Sequence, residues 1–161
     1  MSKTVFRNVT WLLLAVFIAP TTFAADKKKD PLDGLKCFIM KKRKVKKKKV
    51  ITFKGAQLYL CCGTCVRRMK KTPQKYMAKA NHQIVLTGQF IQKACPVSGG
   101  KLDGKTTLKV AGVEVKFASK SHRDKVAKLS VDKQIKALFG NDGFKKGKFT
   151  LKKKSKKKKK A

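Results

Sequence analysis

The segment Gly55-Ala56-Gln57-Leu58-Tyr59-Leu60-Cys61-Cys62-Gly63-Thr64-Cys65 returns fifty-seven positions later as Gly112-Val113-Glu114-Val115-Lys116-Phe117-Ala118-Ser119-Lys120-Ser121-His122. Glycine falls on glycine, Leu58 on Val115, Leu60 on Phe117 and Cys65 on His122. Upstream, Cys37 precedes its glycine by eighteen residues and Cys95 precedes its own by seventeen. Such a register within 161 residues points to two copies of one small unit. Units of roughly 50 residues bury too little surface to be stable alone, so a metal, a disulfide or mutual packing is expected to hold them.

Each copy carries the same local pattern. Residues 50–53 and 107–110 predict short strands, Lys54-Gly55 and Ala111-Gly112 predict turns, and 57–60 and 113–117 predict return strands with alternating character. A helix is expected from about Thr64 to Lys71, with Pro73 stopping or restarting it before a stretch over 75–80. In the second copy Ser121 is expected to cap a helix to about Leu129, and 131–139 follows with Gly140 as terminator. Gly99-Gly100 and residues 140–143 read as turns. The expected fold class is therefore α+β, with a cysteine-bearing loop, a hairpin and a helix occurring twice.

Cys61 and Cys65 stand at the junction of the second strand and the helix, four positions apart and so able to face one point. Cys37 lies before the hairpin and can be brought to the same place. Three thiolates converging there suit a soft or borderline cation such as zinc or copper, and a helix N-terminus with lysines around it favours the thiolate form. The competing reading is a structural disulfide from Cys37 to Cys61 or Cys65. Cys62 is a further candidate metal residue, read as a reserve thiol or core residue rather than a primary donor. Cys95 and His122 remain in the second copy, where Ala118 and Ser119 replace the paired cysteines. Two donors are too few for a closed structural site, so this copy is expected to be a degenerate partner or to lend a ligand to the first. His82 reads as an ordinary helix or loop histidine.

The segment Gly55 to Cys65, with Pro73-Gln74-Lys75-Tyr76 after it, resembles the TRASH and YHS family of small heavy-metal-binding domains. That family places a cysteine ahead of a hairpin, then an aromatic residue before Cys-x-x-x-Cys, then a helix and a Pro-x-x-Tyr element. The resemblance spans about residues 35–150 and implies a treble-clef or zinc-ribbon-like fold in each copy. It also implies a role in heavy-metal trafficking, resistance or sensing. Cys37, Cys61 and Cys65 match the ligand positions, and Cys62 matches the Cys-Cys form of the motif. Tandem copies joined by Asn81-His82-Gln83 resemble exported proteins of environmental bacteria such as planctomycetes.

Charge is the second property. The chain has 43 Lys and Arg against 8 Asp and Glu, a net +35. The excess is concentrated in residues 41–49, which interrupt the first copy, and in a lysine-rich C-terminus. Lysine dominates over arginine with few aromatic residues between, a pattern suited to diffuse, salt-sensitive contact with anionic polymers or a membrane surface. Lys46, Lys47, Lys48, Lys49, Lys156, Lys157 and Lys158 are the candidate contacts. Blocks of like charge repel, so the tail is expected to be disordered.

Lys3 and Arg7, the apolar run Trp11 to Ala19 and the small residue Ala24 together read as a secretory signal peptide, which predicts a periplasmic or secreted protein. The run is short for a bilayer span, and no later segment is apolar for long enough to cross a membrane. The expected layout is a signal over 1–24, a linker over 25–34, the first module over 35–86, the degenerate module over 87–150 and the tail over 151–161. Catalysis is not expected: no paired carboxylates, Ser-His-Asp arrangement or phosphate-cradling glycine loop can be placed. Cys62-x-x-Cys65 lacks thioredoxin-like surroundings. The two functions in play are heavy-metal binding and polyanion binding on stapled scaffolds.

Overall fold

The computed structural model describes residues 30–153. The expected signal segment and Lys156, Lys157 and Lys158 lie outside the described residues. Within them the chain is α+β, with five helices and three two-stranded antiparallel sheets. No helix among the described residues is long and apolar enough to cross a membrane.

The first hairpin joins β1 (Lys46–Phe53) to β2 (Ala56–Leu60), and the second joins β4 (Thr107–Val110) to β5 (Val113–Lys116). β3 (Phe90–Ile91) lies between them in sequence. In both hairpins the two loop residues have positive φ: Lys54 at 50° and Gly55 at 78°, Ala111 at 45° and Gly112 at 91°. Positive φ at both central positions marks the turn whose twist matches a two-residue hairpin, and glycine takes it without steric cost. Leu58 and Leu60 in one copy, and Val113 and Val115 in the other, turn inward from the return strands.

Two helices follow each hairpin. The first pair is α1 (Gly63–Lys71) and α2 (Pro73–Leu86), the second α3 (Lys120–Ala127) and α4 (Val131–Phe139). Pro73 restarts rather than ends the helical run, because proline at a first helical position gives up only an N–H that would be unpaired anyway. α2 then continues to Leu86, well past the expected 80, since its last turns are buried against both hairpins. Ser119, not Ser121, caps α3 and accepts a hydrogen bond from His122 N–H at 3.4 Å. Residues 141–146 form α5 (Asn141–Lys146) where turns were expected. Gly143 permits this helix, because a Cβ there would stand 2.1 Å from the Ala137 carbonyl oxygen.

The polybasic block is divided, its first half turning in a loop and its second half forming strand. Lys46 to Lys49 open β1, and the ladder jumps from Lys46 opposite Leu60 to Val50 opposite Tyr59, so the extra lysines bulge outward. β6 (Thr150–Leu151) pairs with β3, and Lys152 N–H donates to the Gln89 carbonyl at 2.8 Å. Strand pairing thus includes Leu151, at the point where the tail was expected to begin.

One continuous apolar core serves both copies, from Leu58, Leu60 and Met69 through Ile84 to Val115, Phe117, Leu138 and Phe139. Phe139 and Phe144 both pack on Phe149. Three consecutive residues of α2 bind three different elements. Asn81 donates to the Phe139 carbonyl at 2.8 Å, a ring nitrogen of His82 lies 3.2 Å from the Val110 carbonyl, and Gln83 bonds both N–H and C=O of Tyr59. Gln89 does the same for Gln57, and Gln92 for Lys116. Each amide supplies one donor and one acceptor, and so satisfies the outward backbone pair of a strand edge.

Candidate metal centre

Cys37 sits in a tight loop closed by its own N–H donating to the Arg43 carbonyl at 2.8 Å. Cys61 follows the end of β2, and Cys65 lies in the first turn of α1. The fold brings these three together: their sulfurs all lie within 4.8 Å of one another, and all three residues are buried. The group can hold a metal ion. All five cysteines are free thiols. No bond joins Cys37 to Cys61 or Cys65, the two disulfide pairings offered by the competing reading.

Cys62, read from sequence as a reserve, belongs beside the cluster. Its sulfur is 3.8 Å from that of Cys61 and 3.6 Å from that of Cys65. Bonds of about 2.3 Å from a tetrahedral zinc to sulfur place neighbouring sulfurs about 3.8 Å apart. Cys61, Cys62 and Cys65 already stand at that spacing. Cys62 occupies the N-cap of α1, a position that points a side chain back over the first turn, and this was the signal available in the sequence.

The four thiols differ in electrostatics. Burial pushes Cys37 up, but the N–H groups of Met40, Ile39 and Cys61, with the Cys61 thiol, outweigh it and leave Cys37 below an ordinary thiol. The N–H and thiol of Cys65 hold Cys62 down at about 7, with smaller help from the Cys61 thiol and the Thr64 N–H. Burial raises Cys61 and, more strongly, Cys65, where the neighbouring thiols Cys61 and Cys62 add to it. The cluster therefore pairs two thiolate-prone sulfurs with two that give up a proton only to a strong competitor such as a metal.

The second copy keeps the loop and changes the donors. Cys95 N–H donates to the Gly100 carbonyl at 2.9 Å, and the Cys95 sulfur lies 3.9 Å from Nδ1 of His122. Burial raises the Cys95 thiol, but the Ser98 N–H and hydroxyl and the N–H groups of Ala118 and Val97 bring it below the ordinary value. Neither Cys95 nor His122 joins the three-thiol group, so the second copy lends it no ligand. His82 is 9 % exposed and committed to its hydrogen bond with Val110.

The candidate polyanion contacts Lys46, Lys47, Lys48 and Lys49 are all exposed on β1. Lys47 forms an ion pair with Asp30 at 2.6 Å.

No family model, curated protein or solved structure matches the chain.

Proposed function

We propose that this is an exported heavy-metal-binding protein that acts by holding zinc or copper(I) rather than by catalysis, in metal trafficking or resistance. The observation that carries the reading is the convergence of three buried sulfurs, from Cys37, Cys61 and Cys65, within 4.8 Å. Cys62 is the fourth donor in this reading: its sulfur stands beside those of Cys61 and Cys65 but outside the group that includes Cys37, and a turn of its side chain toward the ion would complete a four-thiolate site of the kind that zinc and other thiophilic ions favour. The two hairpin-and-helix copies are read as tandem treble-clef or zinc-ribbon-like modules, in line with the resemblance to TRASH and YHS domains. A chain of net +35 repels free cations at long range. Thiolate coordination, worth about 10 kcal/mol or more for structural zinc, outweighs that repulsion on contact.

Mass spectrometry of the intact protein under native conditions tests the proposal. A single zinc adduct is expected, removed by chelator and absent in Cys61→Ala. A protein two hydrogens light, with no adduct and no response to chelator, would sink it.

A second reading rests on the exposed lysines that bulge from β1. It assigns the protein a surface contact with anionic polymer or membrane, independent of the thiols. Binding that persists undiminished at high salt would refute it.

A further inference from the structure

We propose that Cys95 and His122 form a second, two-donor site for a soft univalent cation such as silver(I) or copper(I). The inference goes beyond the four-thiol centre and does not depend on its occupancy.

The loop around Cys95 is built as the loop around Cys37 is built. At Cys37 the N–H groups two and three residues ahead, on Ile39 and Met40, act on the sulfur together with that of Cys61. At Cys95 the corresponding groups are those of Val97, Ser98 and Ala118, and the Ser98 hydroxyl joins them. Ala118 stands fifty-seven residues after Cys61, so the residue whose N–H favours the thiolate occupies the same place in each copy. These groups hold the Cys95 thiol below its ordinary value and so favour the thiolate form that a metal takes as donor.

The second donor is equally placed. His122 stands at the position of Cys65, in the first turn of the helix after the hairpin, and Ser119 accepts its backbone N–H. Its Nδ1 lies 3.9 Å from the Cys95 sulfur. On the scale of zinc, bonds of about 2.3 Å to sulfur and about 2.0 Å to imidazole nitrogen separate two donors by about 3.5 Å at a tetrahedral angle and about 4.3 Å when linear, and a soft univalent ion needs a comparable span. The observed separation falls between, and an opening of ~0.4 Å by rotation of the half-buried His122 ring reaches the linear limit.

The donor count selects the ion. Ala118 and Ser119 stand where Cys61 and Cys62 stand in the first copy, so no third thiol is at hand. Zinc asks for four donors in a structural site. Soft ions with a filled d shell and a single charge accept two opposed donors, and thiolate with imidazole is a suitable pair. A lower charge also lessens the repulsion from the surrounding lysines.

The test uses the full chain, reduced and metal-free, labelled with nitrogen-15, and reads the imidazole nitrogens during addition of silver nitrate. The chain has only two histidines, and His82 serves as the internal reference. The expected result is a displacement of the His122 Nδ1 signal as silver is added, with His82 unmoved, and loss of that displacement in Cys95→Ser. An unchanged His82 signal in Cys95→Ser confirms that the variant is folded. A His122 signal that stays put in the parent protein when silver saturates the thiols overturns the proposal, as does an equal displacement in Cys95→Ser. Addition of cobalt(II) reads the first centre separately through its thiolate absorption. A silent His122 beside a cobalt-loaded cluster refutes the second site alone.

Discussion

His82 and Gln83 are neighbours on α2, yet each is bound to a different hairpin: Gln83 to Tyr59 of β2 and His82 to Val110 of β4. The two copies are thus joined through two adjacent buried side chains rather than a loose linker. The joint gives His82 a pH signature. Burial pushes its pKa down, against smaller raising effects of the Val110 and Ala111 backbone. A histidine with a folded pKa below its unfolded value contributes full stability above about pH 6.5, and the contribution falls as pH drops below it. Urea midpoints measured from pH 8 to pH 5 should fall, with a slope from this group of at most about 1.4 kcal/mol per pH unit. His82→Gln should flatten that part of the profile.

Gln83→Leu keeps the apolar stem but strands the N–H and C=O of Tyr59. Two hydrogen bonds of ordinary net value make the expected loss about 2 kcal/mol, measured as a shift in denaturant midpoint at constant slope.

Metal loading should raise stability through linkage. With free zinc at a hundredfold excess over its dissociation constant, unfolding becomes harder by about 2.7 kcal/mol, and chelator reverses the gain. Cys37→Ser should abolish the response, whereas Cys95→Ser should leave the zinc effect intact. Paired thermal melts with and without zinc check both.

Thiol reactivity should rank by exposure. Cys62 is half-buried, while Cys37, Cys65 and Cys95 are at 0 % exposure and Cys61 at 3 %. Brief treatment of the metal-free protein with an alkylating agent should label Cys62 first, read by peptide mass spectrometry. Zinc should protect it.

Replacement of Lys46, Lys47, Lys48 and Lys49 by Gln should weaken binding to duplex DNA, used as a model polyanion. If all four touch phosphate, the slope of log affinity against log salt should become shallower by about 3.6. An unchanged slope would remove β1 from the contact surface.

Much of this architecture is legible in the residues because it is local. The alternating Leu58 and Leu60, the glycines that close both hairpins and the four-residue step from Cys61 to Cys65 each dictate nearby geometry. What escaped is what depends on distant packing. The pairing of Phe90 with Leu151 joins segments sixty residues apart and has no local signature. α5 forms around Gly143 only because α4 presses against it. Lys46 to Lys49 look like a solvated insertion by charge, but the neighbouring strand draws them into β1 as a bulge. Within the candidate site, spacing identified Cys37, Cys61 and Cys65. The place of Cys62 was set by its position at the helix start, a cue that composition does not carry.

The glutamine amides have a consequence for how copies of this chain can assemble. Gln83 and Gln89 occupy the outer rim of β2, and Gln92 that of β5, as a third strand would. Fibre growth by strand addition is blocked along those rims. Any ordered polymer must begin at the opposite rim, and in the first hairpin that rim begins with the lysines of β1. Mutual repulsion of those lysines then acts as the guard that a glutamine supplies elsewhere.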